Sequence, residues 1–237
     1  MMLGARTAAW AKSGGGVPTA KDYVQDGLVA MWDGIENAGW GVHDTNATVS
    51  RDLVGNVVSL GTCLFGDNFF TPSLGASFSL RTSENVSLAN GYTIKICANL
   101  LSRGDGDGTS IVGFIGDWST EGETSIKHSA VYGYTLRVKN MICKFDPILG
   151  KGPFGINASF DGRNLCQYSF LKDKQFTQML SGSTDGKVGV VTISLLSTVH
   201  GLDNLFEVYN VAVYRRGLSM EELSHNCAID KARFGLT

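Results

Sequence analysis

The chain has 237 residues, with 20 Lys+Arg against 22 Asp+Glu and a formal charge of −2. That balance supplies no basic surface for a nucleic acid, and no apolar run approaches the length of about 18 residues needed to span a bilayer. Thirty glycines against four prolines suit tight turns between strands, and the length suits one undivided β-sandwich.

Residues 1–20, MMLGARTAAWAKSGGGVPTA, read as a flexible arm built of small residues and a glycine triplet. Leu3, Arg6 and Trp10 are its candidate anchors, expected to dock on another copy of the chain or on a host assembly, because an apolar side chain on a loose arm is otherwise a solubility liability. Residues 1–11 lack a signal-peptide pattern. Cytoplasmic synthesis is therefore expected, and the sequons at Asn46, Asn85 and Asn157 read as chance matches.

Residues 28–32 form the first expected strand. A long polar, glycine-rich stretch follows, 33–46, carrying Trp40, His43 and Asp44; connections of that length are often functional or packed on themselves. A hairpin is expected over 50–60 around Gly55-Asn56, with further strands at 68–72 and 77–81. Residues 92–101 alternate well, with Tyr92, Ile94, Ile96 and Ala98 on one face. Strands at 111–115 and 132–139 come next, then a hairpin over 155–171 turning at Asp161-Gly162. Asp185-Gly186 reads as a further hairpin turn leading into 188–196. Strand signals every ten to fifteen residues separated by such turns indicate an all-β sandwich. Residues 206–214 are apolar on both faces, which calls for cover on both sides or a helix above. Ser219-Met220-Glu221-Glu222 is a capping box opening a terminal helix to about Arg233, with Leu223 and Cys227 inward, Ala228 and Lys231 as further inward candidates, His225 exposed, and Gly235 as the stop.

The closing segment carries a resemblance. Tyr214, Arg216, Leu218, Ser219, Glu221, Glu222, Leu223 and Asn226 resemble the closing signature of laminin-G-like, concanavalin A-like jelly-roll domains. Gly27-Leu28-Val29-Ala30-Met31-Trp32 is similar to that family's first strand, "Gly-Leu-Val-Ala-x-Trp-x-x-Asp", except that Asp33 follows the Trp at once. The resemblance brackets residues 22–234. It implies a two-sheet antiparallel jelly roll with a short C-terminal helix, and it does not specify a reaction.

Jelly-roll hydrolases use paired carboxylates on one strand, in the pattern Glu-x-Asp-x-x-Glu. The nearest approach here, Glu121-Gly122-Glu123, reads as a solvated loop, so the chain is expected not to be an enzyme. No G-x-S-x-G elbow accompanies His43, His128, His200 or His225. Asp105 and Asp107 in Arg103-Gly104-Asp105-Gly106-Asp107-Gly108 are the candidate ligands for calcium, which favours carboxylates on flexible loops; the same residues are also good turn formers. For carbohydrate, Trp118 with Asp117, and Trp40 with His43 and Asp44, are candidate platforms, each weighed against a plain role plugging the edge of the core. Trp32 is expected in the core. Cys63, Cys97, Cys143, Cys166 and Cys227 show no paired spacing for disulfides or zinc and read as buried small hydrophobes. The expected role is a module displayed on a larger assembly, such as a phage-like particle, by its arm, with cell-surface glycan as a candidate partner; the alternative is a stand-alone lectin-like module, with a glycoside hydrolase as the reading least favoured by the residues.

Overall fold

The computed structural model describes residues 16–73, 78–87, 91–100, 112–115, 125–129, 133–138, 141–144, 152–160, 165–169, 175–177, 188–194 and 206–236. The strands are β1 (Leu28–Asp33), β2 (Cys63–Phe65), β3 (Phe70–Pro72), β4 (Ser79–Ser87), β5 (Tyr92–Leu100), β6 (Val112–Ile115) and β7 (Ser125–Ser129). They continue with β8 (Gly133–Val138), β9 (Met141–Lys144), β10 (Gly152–Phe160), β11 (Leu165–Ser169), β12 (Gln175–Thr177), β13 (Val188–Ser194) and β14 (Phe206–Tyr214). An α-helix, α1, spans Met220–Phe234, and a single 3-10 turn covers Ala20–Asp22. The architecture is an all-β antiparallel sandwich with a short C-terminal helix.

The main sheet runs β12-β11-β10-β5-β14-β3-β2, with β1 also paired to β14; β4-β13-β6 and β7-β8-β9 form two smaller sheets. The centre is the long β5–β14 ladder, flanked by β10 on one side and β1 on the other. Alternation puts Trp32, Ile94, Ile96, Val211 and Val213 on one face, all fully buried. The opposite face carries Met31, Asp33, Lys95, Cys97, Asn210, Ala212 and Tyr214, and it is equally buried because α1 covers it. This is the covered second face that the apolar pattern of 206–214 required. A bulge between Val208 and Asn210 lets Tyr209 join the helix-covered side, where its ring stacks on Phe234 at 5.2 Å between centroids.

Helix α1 starts where its sequence dictates. The Glu222 amide donates to Ser219 Oγ, and the Ser219 amide donates to Glu222 Oε2. Arg216 grips the same carboxylate with two nitrogens, at 2.9 and 2.6 Å, and holds Glu222 down at about 2. Gly235 closes the helix in the left-handed conformation, φ 64°.

Several expectations are corrected. The buried stripe of α1 is Leu223, Asn226, Cys227, Asp230, Arg233 and Phe234, with Ile229 beside it. Ala228 is exposed and Lys231 half-buried, because the chemically polar side of the helix faces the sheet. His225 is half-buried, its Nε2 2.9 Å from the Asp22 carbonyl oxygen. Residues 50–60 form only a bridged turn, Arg51 with Val58, too short to extend as strands. Asp185-Gly186, the expected turn into β13, lies outside the described residues; β13 itself pairs with β4 and β6. The expected hairpin over 155–171 is present as β10–β11. Strands β2, β7, β9 and β12 carry no sequence signal, being very short or, in β7, dominated by polar residues. Cys63, Cys97 and Cys227 are buried, as expected of small hydrophobes. No helix among the described residues is long and apolar enough to cross a membrane.

Candidate functional site

The loop after β1 is built outward from a buried carboxylate. Asp33 closes the strand; its Oδ1 accepts from the amides of Ile35 and Glu36, both at 2.9 Å, which turns the chain back on itself. The same Oδ1 accepts from Arg233 Nη2 at 2.8 Å, and Oδ2 accepts from Asn210 Nδ2. Glu36 then ties three segments together. Its Oε1 accepts from the Ala20 amide at 2.6 Å and from Arg233 Nη2 at 3.3 Å, and its Oε2 accepts from the Gly41 amide at 2.7 Å. Asn37 and Asp44 lock the far end of the loop by exchanging side-chain and backbone bonds.

Beneath the loop lies an ion cluster. Lys95 Nζ contacts Asp230 Oδ1 and Asn210 Oδ1, both at 2.7 Å, and the Tyr23 hydroxyl donates to Asp230 Oδ1 at 2.6 Å. Lys95 and Arg233 both sit against the Tyr23 ring, at 4.9 and 5.6 Å from its centroid. With Asp33, Glu36 and Asp230, the cluster holds two cations and three carboxylates, so its charges do not cancel. Burial accordingly raises the carboxyls of Asp33 and Asp230 above their ordinary range, opposed by Arg233 and Lys95 respectively. Burial, with Asp230 beside it, raises the Tyr23 hydroxyl well above its usual value.

An open crevice of about 270 Å³ lies where these segments meet. Val17, Pro18 and Thr19 line it from the N-terminal segment, Ile35, Glu36, Gly41 and His43 from the loop, and Arg233 from α1. Arg233 is nine-tenths buried; its Nη2 is spent on Asp33 and Glu36, while Nε and Nη1 lack hydrogen-bond partners among the described residues. His43 is exposed, and its Nδ1 lies 2.6 Å from the Ile35 carbonyl oxygen. A carbonyl only accepts, so Nδ1 carries a proton, and in the neutral form of the ring Nε2 is the acceptor.

Of the residues singled out in the sequence, the structure places His43 in the crevice and Asp44 beside it, as a loop lock that also accepts from the Asn46 amide. Trp40 is half-buried against the core group of Tyr23, Met31, Tyr214 and Leu223, with Lys21 Nζ 5.9 Å from its ring centroid. Gly41, at φ 71°, makes the turn beyond it. Trp32 is fully buried. Trp118, Asp117, Glu121, Glu123, Asp105, Asp107, Leu3, Arg6 and Trp10 lie outside the described residues. No cluster of three or more metal-ligating side chains occurs among the described residues. Sequence reasoning missed Glu36, Asp33, Lys95, Asp230 and Arg233. The available signal was Lys95 itself, a cation in the middle of an apolar strand.

No family model and no curated relative matches the chain, so the laminin-G-like, concanavalin A-like resemblance holds as sandwich architecture alone. Solved structures do match. A sialidase of Trypanosoma rangeli, in complex with 2,3-difluorosialic acid as a covalent intermediate, superposes with a TM-score of 0.60 at 14% identity, over 94% of this chain and 35% of the sialidase. The same enzyme in complex with sialic acid gives 0.60 at 14%, over 92% and 34%. The binding domain of botulinum neurotoxin serotype D/C gives 0.55 at 10%, over 85% and 52%. The chain thus spans about a third of the sialidase and half of the toxin domain, and at these identities the likeness is one of fold. The expectation that the chain is not an enzyme is overturned, because this arrangement of sheets occurs within sialidase chains. That expectation rested on a missing carboxylate pattern belonging to other jelly-roll hydrolases. None of these structures is a particle component, and the phage-like role gains no support from them.

Proposed function

We propose that this chain is a carbohydrate-binding sandwich whose binding site is the crevice between residues 17–19, the loop after β1 and Arg233. The observation that carries the reading is the make-up of that crevice. Val17, Pro18 and Ile35 offer apolar surface, and His43 and Thr19 offer exposed hydrogen-bonding atoms on a rim pinned by Glu36. A sugar ring needs this combination, since its C–H face seeks apolar surface while its hydroxyls need directional partners. At about 270 Å³ the crevice falls just below the range of about 300 to 1,000 Å³ usual for ligand sites, and so suits one ring rather than an extended chain. The sandwich likeness to a sialidase seen with sialic acid supports the reading. A glycan array probed with the intact chain, followed by calorimetry on any hit with wild type and His43→Ala, is the test. Binding lost on substitution with unfolding behaviour unchanged is expected; binding indifferent to His43 would move the site elsewhere.

A further inference from the structure

The chemistry of the crevice narrows its ligand. We infer that it selects uncharged saccharides, which donate hydroxyl protons, and disfavours sugars bearing a carboxylate; the inference rests on the carbohydrate-binding reading above. Two side-chain atoms on its exposed rim offer lone pairs to a ligand. His43 Nε2 is one, because Nδ1–H is committed to the Ile35 carbonyl. Thr19 Oγ1 is another; its proton goes to Asp22 Oδ2 at 2.9 Å, so toward a ligand it accepts. Behind them stands Glu36, a carboxylate that already accepts three N–H bonds. A hydroxyl donates to such atoms, whereas an ionised carboxylate has no proton to give and meets lone pairs instead.

The one cation lining the crevice among the described residues, Arg233, does not reverse this. Arg233 Nη2 is held by Asp33 and Glu36, and its two unpartnered nitrogens are fully buried, next to the Tyr23 and Phe234 rings. Two carboxylates on one guanidinium leave the local charge negative, and Lys95 is itself spent on Asp230. Lys21, an exposed cation, has its Nζ 5.9 Å from the Trp40 ring centroid, and Asp22 follows it in the chain. An acidic sugar would enter against this field, and a sialic acid-type ligand is therefore not what the crevice is built for, despite the fold it shares with a sialidase.

The test is calorimetry with paired oligosaccharides: galactose-, glucose- and mannose-terminated chains, and the same chains ended in sialic acid. Neutral termini are expected to bind at least about tenfold more tightly than their acidic counterparts, a margin of about 1.4 kcal/mol. His43→Ala should abolish binding, and His43→Gln, which keeps an acceptor, should recover part of it. Tighter binding of the acidic members overturns the inference and leaves the carbohydrate reading standing. Neutral preference that survives His43→Ala removes the crevice as its source and overturns the inference as well. No binding to either series overturns the carbohydrate reading itself.

Discussion

Replacing Lys95 with Met tests the physical argument for the helix-covered face of the sheet. Lys95 is fully buried, and its ammonium is the closest cation to Asp230, 2.7 Å away. Met keeps the length and packing of the stem but removes the charge. Asp230 would then be ionised in the interior with only the Tyr23 hydroxyl donating to it, its Oδ2 being without a partner. Breaking a buried pair on one side costs about 3–5 kcal/mol, a large fraction of a typical stability of about 5–15 kcal/mol. The second change, Asp230→Asn on top of Lys95→Met, removes the stranded charge while preserving an acceptor for Tyr23. It should recover most of the loss, leaving about 1–2 kcal/mol for imperfect hydrogen bonding. Urea unfolding followed by tryptophan fluorescence gives the four corners of the cycle. A cost below about 1 kcal/mol for Lys95→Met alone would mean that Asp230 carries a proton in the folded state, and the ion-pair account of this face would fall.

Three further outcomes are expected. Glu222 is held at about 2, against an ordinary 4.5, by Arg216 and the Ser219 cap; a carboxyl depressed on folding stabilises above its unfolded value and loses that contribution as pH falls from about 4.5 toward 2. Glu222→Gln should flatten this segment of the stability–pH curve by about 1 kcal/mol after solvent screening, and an unchanged acid limb would refute the clasp. Glu36→Ala strands the amides of Ala20 and Gly41 and should cost about 2–4 kcal/mol, with faster hydrogen exchange at Gly41; unchanged exchange would show that Glu36 does not pin the loop. Removing residues 1–15 spares Val17 and Pro18 and the anchored Ala20, so glycan binding should persist, while light scattering should show a lower mass if residues 1–20 join copies of the chain. An unchanged multimer would refute that use of the arm.

The fold was legible where local rules and burial agree. The capping box at Ser219, the stop at Gly235, the first strand and the alternation of 92–101 each state their structure in adjacent residues. The site was not legible, for a physical reason. Asn226, Asp230 and Arg233 fall on one face of α1, and polar residues at that spacing normally mark a solvated face; here they are buried because Tyr214, Lys95 and Asp33 respectively meet them on the sheet. Asp33, directly after Trp32, departs from the resembling family's first strand, and that departure is functional in the structure: the residue turns the loop and receives Arg233. The crevice draws on residues 17–19, 35–43 and 233, whose meeting depends on the closed sheet and not on any local motif. The expectation against an enzyme failed because it read the absence of one catalytic pattern as the absence of catalysis.

The central claim is that a saccharide occupies the crevice beside His43. The most direct measurement is a titration of the isotope-labelled chain with the best-binding neutral oligosaccharide, following the His43 ring nitrogens and the Gly41 amide by NMR. The account predicts saturable shifts at Nε2 of His43 and at Gly41, with the hydrogen-bonded Nδ1 little changed. Shifts gathered elsewhere on the sandwich, with His43 and Gly41 still, would contradict it.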